Sequence, residues 1–378
     1  MAPSLVVSAR HTHAVTHRRG RRRRMVVASS GGAGPPPKLV TFLGKGGSGK
    51  TTAATVAAQM LLEPLDRLKK VDAQVNFTQG VLEGIVGEEL GVLPGMDSIS
   101  SVLALQKLLN FFSAGRSSSQ PEFDVVVYDC NNTEEILRLI GATDRARSYL
   151  RYVRDLAEKT DIGRLASPSL LKLIYDAARP YGKTSEGRLS TELWNEIEQL
   201  LERVSVWFAD PSNLACFLVM DPRRSTSVSS AIRYWGCTTQ AGGQICGAFG
   251  YTEDPSEMHQ EAAQKFLPLS LSFLPFVSNG SSADWSRALS SLSQSTKEQL
   301  MNTSTVYPSV SFDSVQKSVT FFMPGFDKSE IKLYQYRGGS ELLIEAGDQR
   351  RVIKLPPTMQ GKVGGAKFVD RNLIVSIR

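Results

Sequence analysis

A chain of 378 residues, 41% of them hydrophobic and 21% charged, is long enough for a sizeable core and for two domains. Its formal charge of +7 sits at one end: seven of the 44 basic residues fall within residues 1–30, which hold no acid, and the rest balances 37 basic against 37 acidic residues. A neutral body argues against a nucleic-acid partner, and with no run of 18 apolar residues nothing is expected to span a membrane.

The leader combines Arg10, Arg18, Arg19 and Arg21 to Arg24 with Ser, Thr and three of the four His. This is the composition of an organellar transit peptide, chloroplast and mitochondrion both being compatible with it. A nuclear-localisation run or a nucleic-acid arm is the rival reading of Arg18 to Arg24. Gly31 to Pro37, G-G-A-G-P-P-P, reads as a tether, so residues 1–37 are set outside the fold.

Buried-strand patterns follow at Leu39 to Leu43, Val125 to Tyr128, Ala215 to Met220, Ile245 to Tyr251 and Leu269 to Leu274, with helical patterns between them. The alternation predicts an α/β fold: a doubly wound, mostly parallel sheet carrying a helical subdomain over residues 38–302. Leu193 to Phe208 presents one apolar face at helical spacing, and a single further helix is expected over Ala283 to Met301. Beyond it the period changes to 2. The segments V-S-F, S-V-T-F-F-M, I-K-L-Y-Q-Y, E-L-L-I-E-A, R-V-I-K-L and N-L-I-V-S-I predict a small all-β sandwich over residues 303–378. Cys130, Cys216, Cys237 and Cys246 form no C-x-x-C pair, which argues for buried fillers in a reduced compartment rather than a metal site.

Gly44, Lys45, Gly46, Gly47, Ser48, Gly49, Lys50 and Thr51 satisfy G-x-x-x-x-G-K-[ST] between a strand and a helix. Glycines let successive N–H groups line an anion nest, and the following helix aims its positive end at phosphates. Lys50 is placed to reach the terminal phosphates, and Thr51 to bind Mg²⁺, with Thr52 adjoining. Asp129, at the end of the second strand, is a candidate for the magnesium shell or a cap on the helix from Thr133.

The loop K-G-G-S-G-K-T-T, with Lys45 near its front, resembles the deviant Walker A of the anion-transporting ATPases, which include arsenical pump-driving ATPases and Get-type ATPases that deliver tail-anchored membrane proteins. Asp129 to Leu139, D-C-N-N-T-E-E-I-L-R-L, resembles the family's switch II. The resemblance implies ATP and Mg²⁺ as cofactors, a homodimer in which Lys45 reaches across to the nucleotide, catalytic parts for Lys45, Lys50 and Asp129, and hydrophobic or membrane-protein clients. Met323 to Leu333, M-P-G-F-D-K-S-E-I-K-L, with the strands after it, resembles the α-crystallin or small-heat-shock fold. An ATPase domain joined to such a module behind a transit peptide resembles the plastid branch of the family in plants.

Two departures bear on activity. After the P-loop helix the chain runs A-A-Q-M-L-L-E-P-L-D-R-L-K-K, with no second strand and no switch I near 59–65, the pattern of an exon-skipped isoform or a gene-model gap. Asp66 and Asp72 are the nearest carboxylates, and Asp221-Pro222 reads as a turn and helix start instead. In switch II, Glu134 stands where the family has glycine, and its side chain is expected to hinder approach to the γ-phosphate. An ATP-binding protein with little turnover, a scaffold or holdase, is therefore the alternative to an ATPase. Ile99, Val102, Leu103, Leu105, Leu108, Leu109 and Phe112 form an apolar stripe, read as core or as a client groove. Gly247 to Asp254 lacks the family's adenine-contacting Asn, and neither Phe249 nor Tyr251 takes its place on sequence grounds.

Overall fold

The structure is a computed structural model that describes residues 6–7, 25–28, 38–62, 71–72, 125–130, 132–160, 190–252, 259–275, 285–301 and 307–378. The expected place of switch I beyond residue 62, Asp66 and the apolar stripe Ile99 to Phe112 lie outside these residues. Gln59 and Met60 fall in the last turns of a continuous helix.

The first elements are β1 (Val6–Val7), β2 (Met25–Ala28), β3 (Lys38–Leu43), α1 (Lys50–Leu62), β4 (Val71–Asp72), β5 (Val125–Tyr128) and α2 (Thr133–Lys159). They are followed by α3 (Ser190–Ala209), β6 (Leu214–Met220), α4 (Ser225–Ala241), β7 (Ile245–Thr252), α5 (His259–Phe266) and β8 (Leu271–Pro275). The main sheet has the order β2-β5-β3-β6-β7-β8, its last five strands parallel. Alternation along β3 sends Leu39 and Leu43 into a core shared with α2, α3 and α4. Val40 and Phe42 point the other way, to a core with α1. Phe42 stacks on Phe217 at 5.7 Å, and Phe217 lies 5.3 Å from Phe249, an aromatic floor in the layer that α1 covers. Helices thus cover both faces, the doubly wound arrangement expected from the alternating pattern.

One edge differs from expectation. Met25–Ala28, within the leader set outside the fold, pairs antiparallel with β5, Met25 opposite Tyr128 and Ala28 opposite Val125. The M-V-V run is β-forming, and the outer edge of β5 offers it a row of main-chain partners. Val6–Val7 pairs separately with Val71–Asp72.

The single helix expected over Ala283 to Met301 is two, α6 (Trp285–Ser290) and α7 (Gln294–Met301). Ser293 Oγ accepts the Thr296 N–H at 3.1 Å, capping a new helix where the serines interrupt the first. The C-terminal sandwich packs one sheet, ordered β14-β15-β10-β9, on another, β11-β12-β13. Its strands are β9 (Val310–Asp313), β10 (Ser318–Phe322), β11 (Ile331–Tyr336), β12 (Glu341–Ala346), β13 (Gln349–Lys354), β14 (Val363–Val369) and β15 (Asn372–Ile377). Phe321, Met323, Leu342, Ile344 and Val375 fill the space between the sheets.

The sandwich is docked on α4. Arg233 donates from both terminal nitrogens to the Glu330 carboxylate, each at 2.8 Å, and lies 4.2 Å above the Phe326 ring. Trp235 meets Phe322 edge to face at 5.0 Å. Gln240 donates to the Phe322 carbonyl at 3.2 Å, and Arg351 reaches back to the Thr239 carbonyl at 3.1 Å. Glycines allow this closeness: a Cβ on Gly236 would stand 2.0 Å from the Pro324 carbonyl oxygen, and Gly325 approaches the Ile232 backbone at φ +72°.

Candidate phosphate-binding site

In an open parallel sheet, ligands bind beyond the carboxyl ends of the strands, where neighbouring connections diverge. Here β3 sits between β5 and β6, and the loop Gly44–Gly49 leaves its carboxyl end to begin α1. Gly44 is buried so tightly that a Cβ there would stand 2.2 Å from Ser48 Oγ and 2.3 Å from the Val219 carbonyl oxygen. Gly47 and Gly49 adopt φ +79° and +88°, conformations open to glycine at little cost. Nothing lies within 4 Å of a Cβ on Gly46 or Gly47, so the rim of the loop faces open space. The Ser48 N–H donates to the Lys45 carbonyl at 2.9 Å, closing the turn.

Lys50 is buried and its Nζ donates to the Gly44 carbonyl at 2.9 Å, while the Lys45 side chain is exposed at the rim. Thr51 Oγ1 donates to Asp129 Oδ1 at 3.2 Å, which brings together the two oxygen groups expected to share a cation. Ser48 Oγ is buried with no hydrogen-bond partner. An orphaned hydroxyl under an open glycine rim, beside a pair of hard oxygen donors, fits a phosphate chain with a divalent cation. Thr52 is the third residue of α1, partly buried.

The segment Asp129 to Leu139, which resembles switch II, is fastened to this loop. Thr133 Oγ1 accepts the Gly44 N–H at 2.9 Å and donates to the Gly44 carbonyl at 2.8 Å, so one hydroxyl clamps both main-chain groups of the first glycine. Glu134 is directed to α4, where its Oε1 accepts the Tyr234 hydroxyl at 2.8 Å. Burial and this carboxylate together push the Tyr234 phenol up to about 12, so it remains a donor at neutral pH. Between Asp129 and Thr133, the Cys130 thiol is likewise pushed up to about 12 by burial and packs as an apolar group. Asp221 accepts the Arg223 N–H at 3.0 Å in the turn before α4, the turn and helix-start role read from Asp-Pro.

Two further residues at the site, Tyr234 and Tyr251, carry no local sequence motif. The Tyr251 hydroxyl donates to the Gly49 carbonyl at 2.9 Å. A hydroxyl at the carboxyl end of an otherwise apolar strand was the available signal.

The fold and the loop define a nucleotide-binding P-loop α/β domain joined to a β-sandwich. Residues 64–233 match the anion-transporting ATPase family, and residues 316–377 match the HSP20-like domain found in ArsA. The chain therefore carries an anion-transporting ATPase domain, and its C-terminal sandwich is the HSP20-like domain. The P-loop lies upstream of the matched ATPase span and rests on its own motif and geometry. No curated protein matches the chain in direct comparison. Among the described residues no helix is long and apolar enough to cross a membrane.

Proposed function

We propose that this protein is an ATP-dependent homodimer that handles hydrophobic or membrane-protein clients, with the HSP20-like sandwich as a second holding surface. Lys50 and the loop amides would hold the β- and γ-phosphates. Thr51 and Asp129 would hold Mg²⁺, which supplies charge neutralisation on the phosphate oxygens. Lys45, exposed at the rim, would meet the nucleotide of a second copy. The leader's composition supports a chloroplast setting, with the mitochondrion as the alternative.

The observation that carries this reading is that one helix touches both parts. Through Tyr234, α4 holds Glu134 of switch II, and through Arg233 it holds Glu330 of the sandwich. A shift of switch II would therefore be felt at the sandwich without passing through a flexible linker.

A second reading, an ATP-binding holdase with little turnover, is favoured by α1 running unbroken through Gln59 and Met60 while the ATPase match opens only at residue 64. Sedimentation of the full chain with Mg²⁺ and ATP tests the dimer and separates the roles of the lysines. The wild type should pair, and Lys45→Ala should bind ATP without pairing; pairing by Lys45→Ala would remove that lysine from the interface. Hydrolysis should be very slow, and suppression of client aggregation that is indifferent to ATP would leave the holdase.

A further inference from the structure

Gly49 precedes the loop lysine, and its carbonyl carries two donors: the Ala53 N–H at 2.9 Å, as the first turn of α1 requires, and the Tyr251 hydroxyl, also at 2.9 Å. Tyr251 comes from β7, two strands away from β3. Its ring lies against the loop so closely that a Cβ on Gly49 would stand 2.3 Å from it. The Thr52 side chain hydrogen-bonds the phenol, which therefore bridges the last loop glycine and the first turn of the helix. Burial drives the phenol far above its ordinary range, so it stays protonated and donating wherever the protein is folded.

Peptide planarity turns this contact into a statement about the phosphate side. The Gly49 carbonyl and the Lys50 N–H share one rigid plane and point in opposite directions. Holding the carbonyl down on Tyr251 and Ala53 aims the Lys50 N–H up toward the loop interior, and Gly49, with no Cβ, restrains the rotation of that plane less than any other residue would. We propose that Tyr251 is a positioning residue of the phosphate loop, its hydroxyl fixing the Gly49–Lys50 peptide so that the amide of Lys50 faces the phosphates. This rests on the loop being the nucleotide site.

The full chain carrying Tyr251→Phe keeps the ring and loses only the donor. Titrated separately with ATP and with tripolyphosphate, it should bind both about three- to tenfold more weakly, by the same factor, with its melting temperature nearly unchanged. Tripolyphosphate has no base or sugar, so a matched loss on both ligands reads the phosphate end. Weakening of ATP alone would place Tyr251 at the base and overturn the proposal, as would unchanged binding of both ligands. Lys50→Ala, run in parallel, reports on the site itself: ATP bound normally by that variant would remove the phosphate loop, whatever Tyr251 does.

Discussion

The phosphate loop and the seam beneath the sandwich both depend on close-packed glycines, yet they draw on the sequence differently. The loop closes on itself locally, Lys50 meeting Gly44 six residues away and Ser48 meeting Lys45, and is then braced from outside by Thr133 and Tyr251. Across the seam, Gln240 meets Phe322 over 82 residues, Arg233 meets Glu330 over 97, and Arg351 meets Thr239 over 112. The loop is a backbone device whose N–H groups are shaped by glycine φ angles. The seam is a side-chain device in which a forked guanidinium, an aromatic face and a carboxylate fit one another. Damage should therefore separate: loop changes should cost ligand binding and spare stability, and seam changes should do the reverse.

The largest expected effect is at the loop. Lys50→Ala should abolish ATP binding in calorimetric titration, while the melting temperature without nucleotide moves little, because Thr133 also donates to the Gly44 carbonyl. A large loss of stability would mean that the loop holds the fold as well as the ligand. Next comes Gly325→Val, which puts a branched side chain at φ +72° against the Ile232 and Arg233 backbone. It should cost about 2 kcal/mol or more in denaturant unfolding and expose the sandwich to limited proteolysis, while ATP affinity falls a few-fold at most, the share carried through Tyr234. An affinity loss as large as that of Lys50→Ala would mean that the seam holds the loop itself.

The smallest effect is a pH dependence. Arg233 holds the Glu330 carboxyl below its ordinary value, with the Asp327 N–H a further donor. A carboxylate depressed in the folded state stabilises fully above its unfolded pKa and loses that stabilisation as pH falls through the folded one. Wild type should therefore be more stable than Glu330→Gln at neutral pH, and the difference should shrink below about pH 4.5. A difference that persists in acid would assign the effect to packing on Phe326 instead of charge.

The same contrast of ranges explains what could be read from the residues. Strands β3, β5, β6 and β7 are short apolar runs buried on both faces, β8 at the sheet edge is buried on one face and half-buried on the other, and each is visible as an apolar run. Strand β14 was not, because V-G-G-A-K-F-V carries Gly364 and Gly365 where side chains would mark a face, with a register shift between Val363 and Gly365. The split between α6 and α7 turned on Ser293 choosing a main-chain N–H over continued helix. At the site, Gly44 to Thr51 was legible because its chemistry is contiguous. Glu134 was visible as a departure, but its outlet was not: only the packing of α2 on α4 supplies Tyr234. Tyr251 lies 202 residues from the glycine it contacts, and no local pattern announces such a pairing.

The four thiols carry a practical consequence. Cys130, Cys216 and Cys246 are buried, and desolvation raises all three thiols, Cys130 to about 12 and Cys246 to about 11, so they are poor nucleophiles until the domain opens. Cys237 is different. It is partly buried on α4 against the sandwich core, and burial raises it while nearby Arg233 pulls it back. Its alkylation rate is thus a built-in stopwatch for how often the sandwich lifts from α4, kept by the native chain and needing no introduced label site.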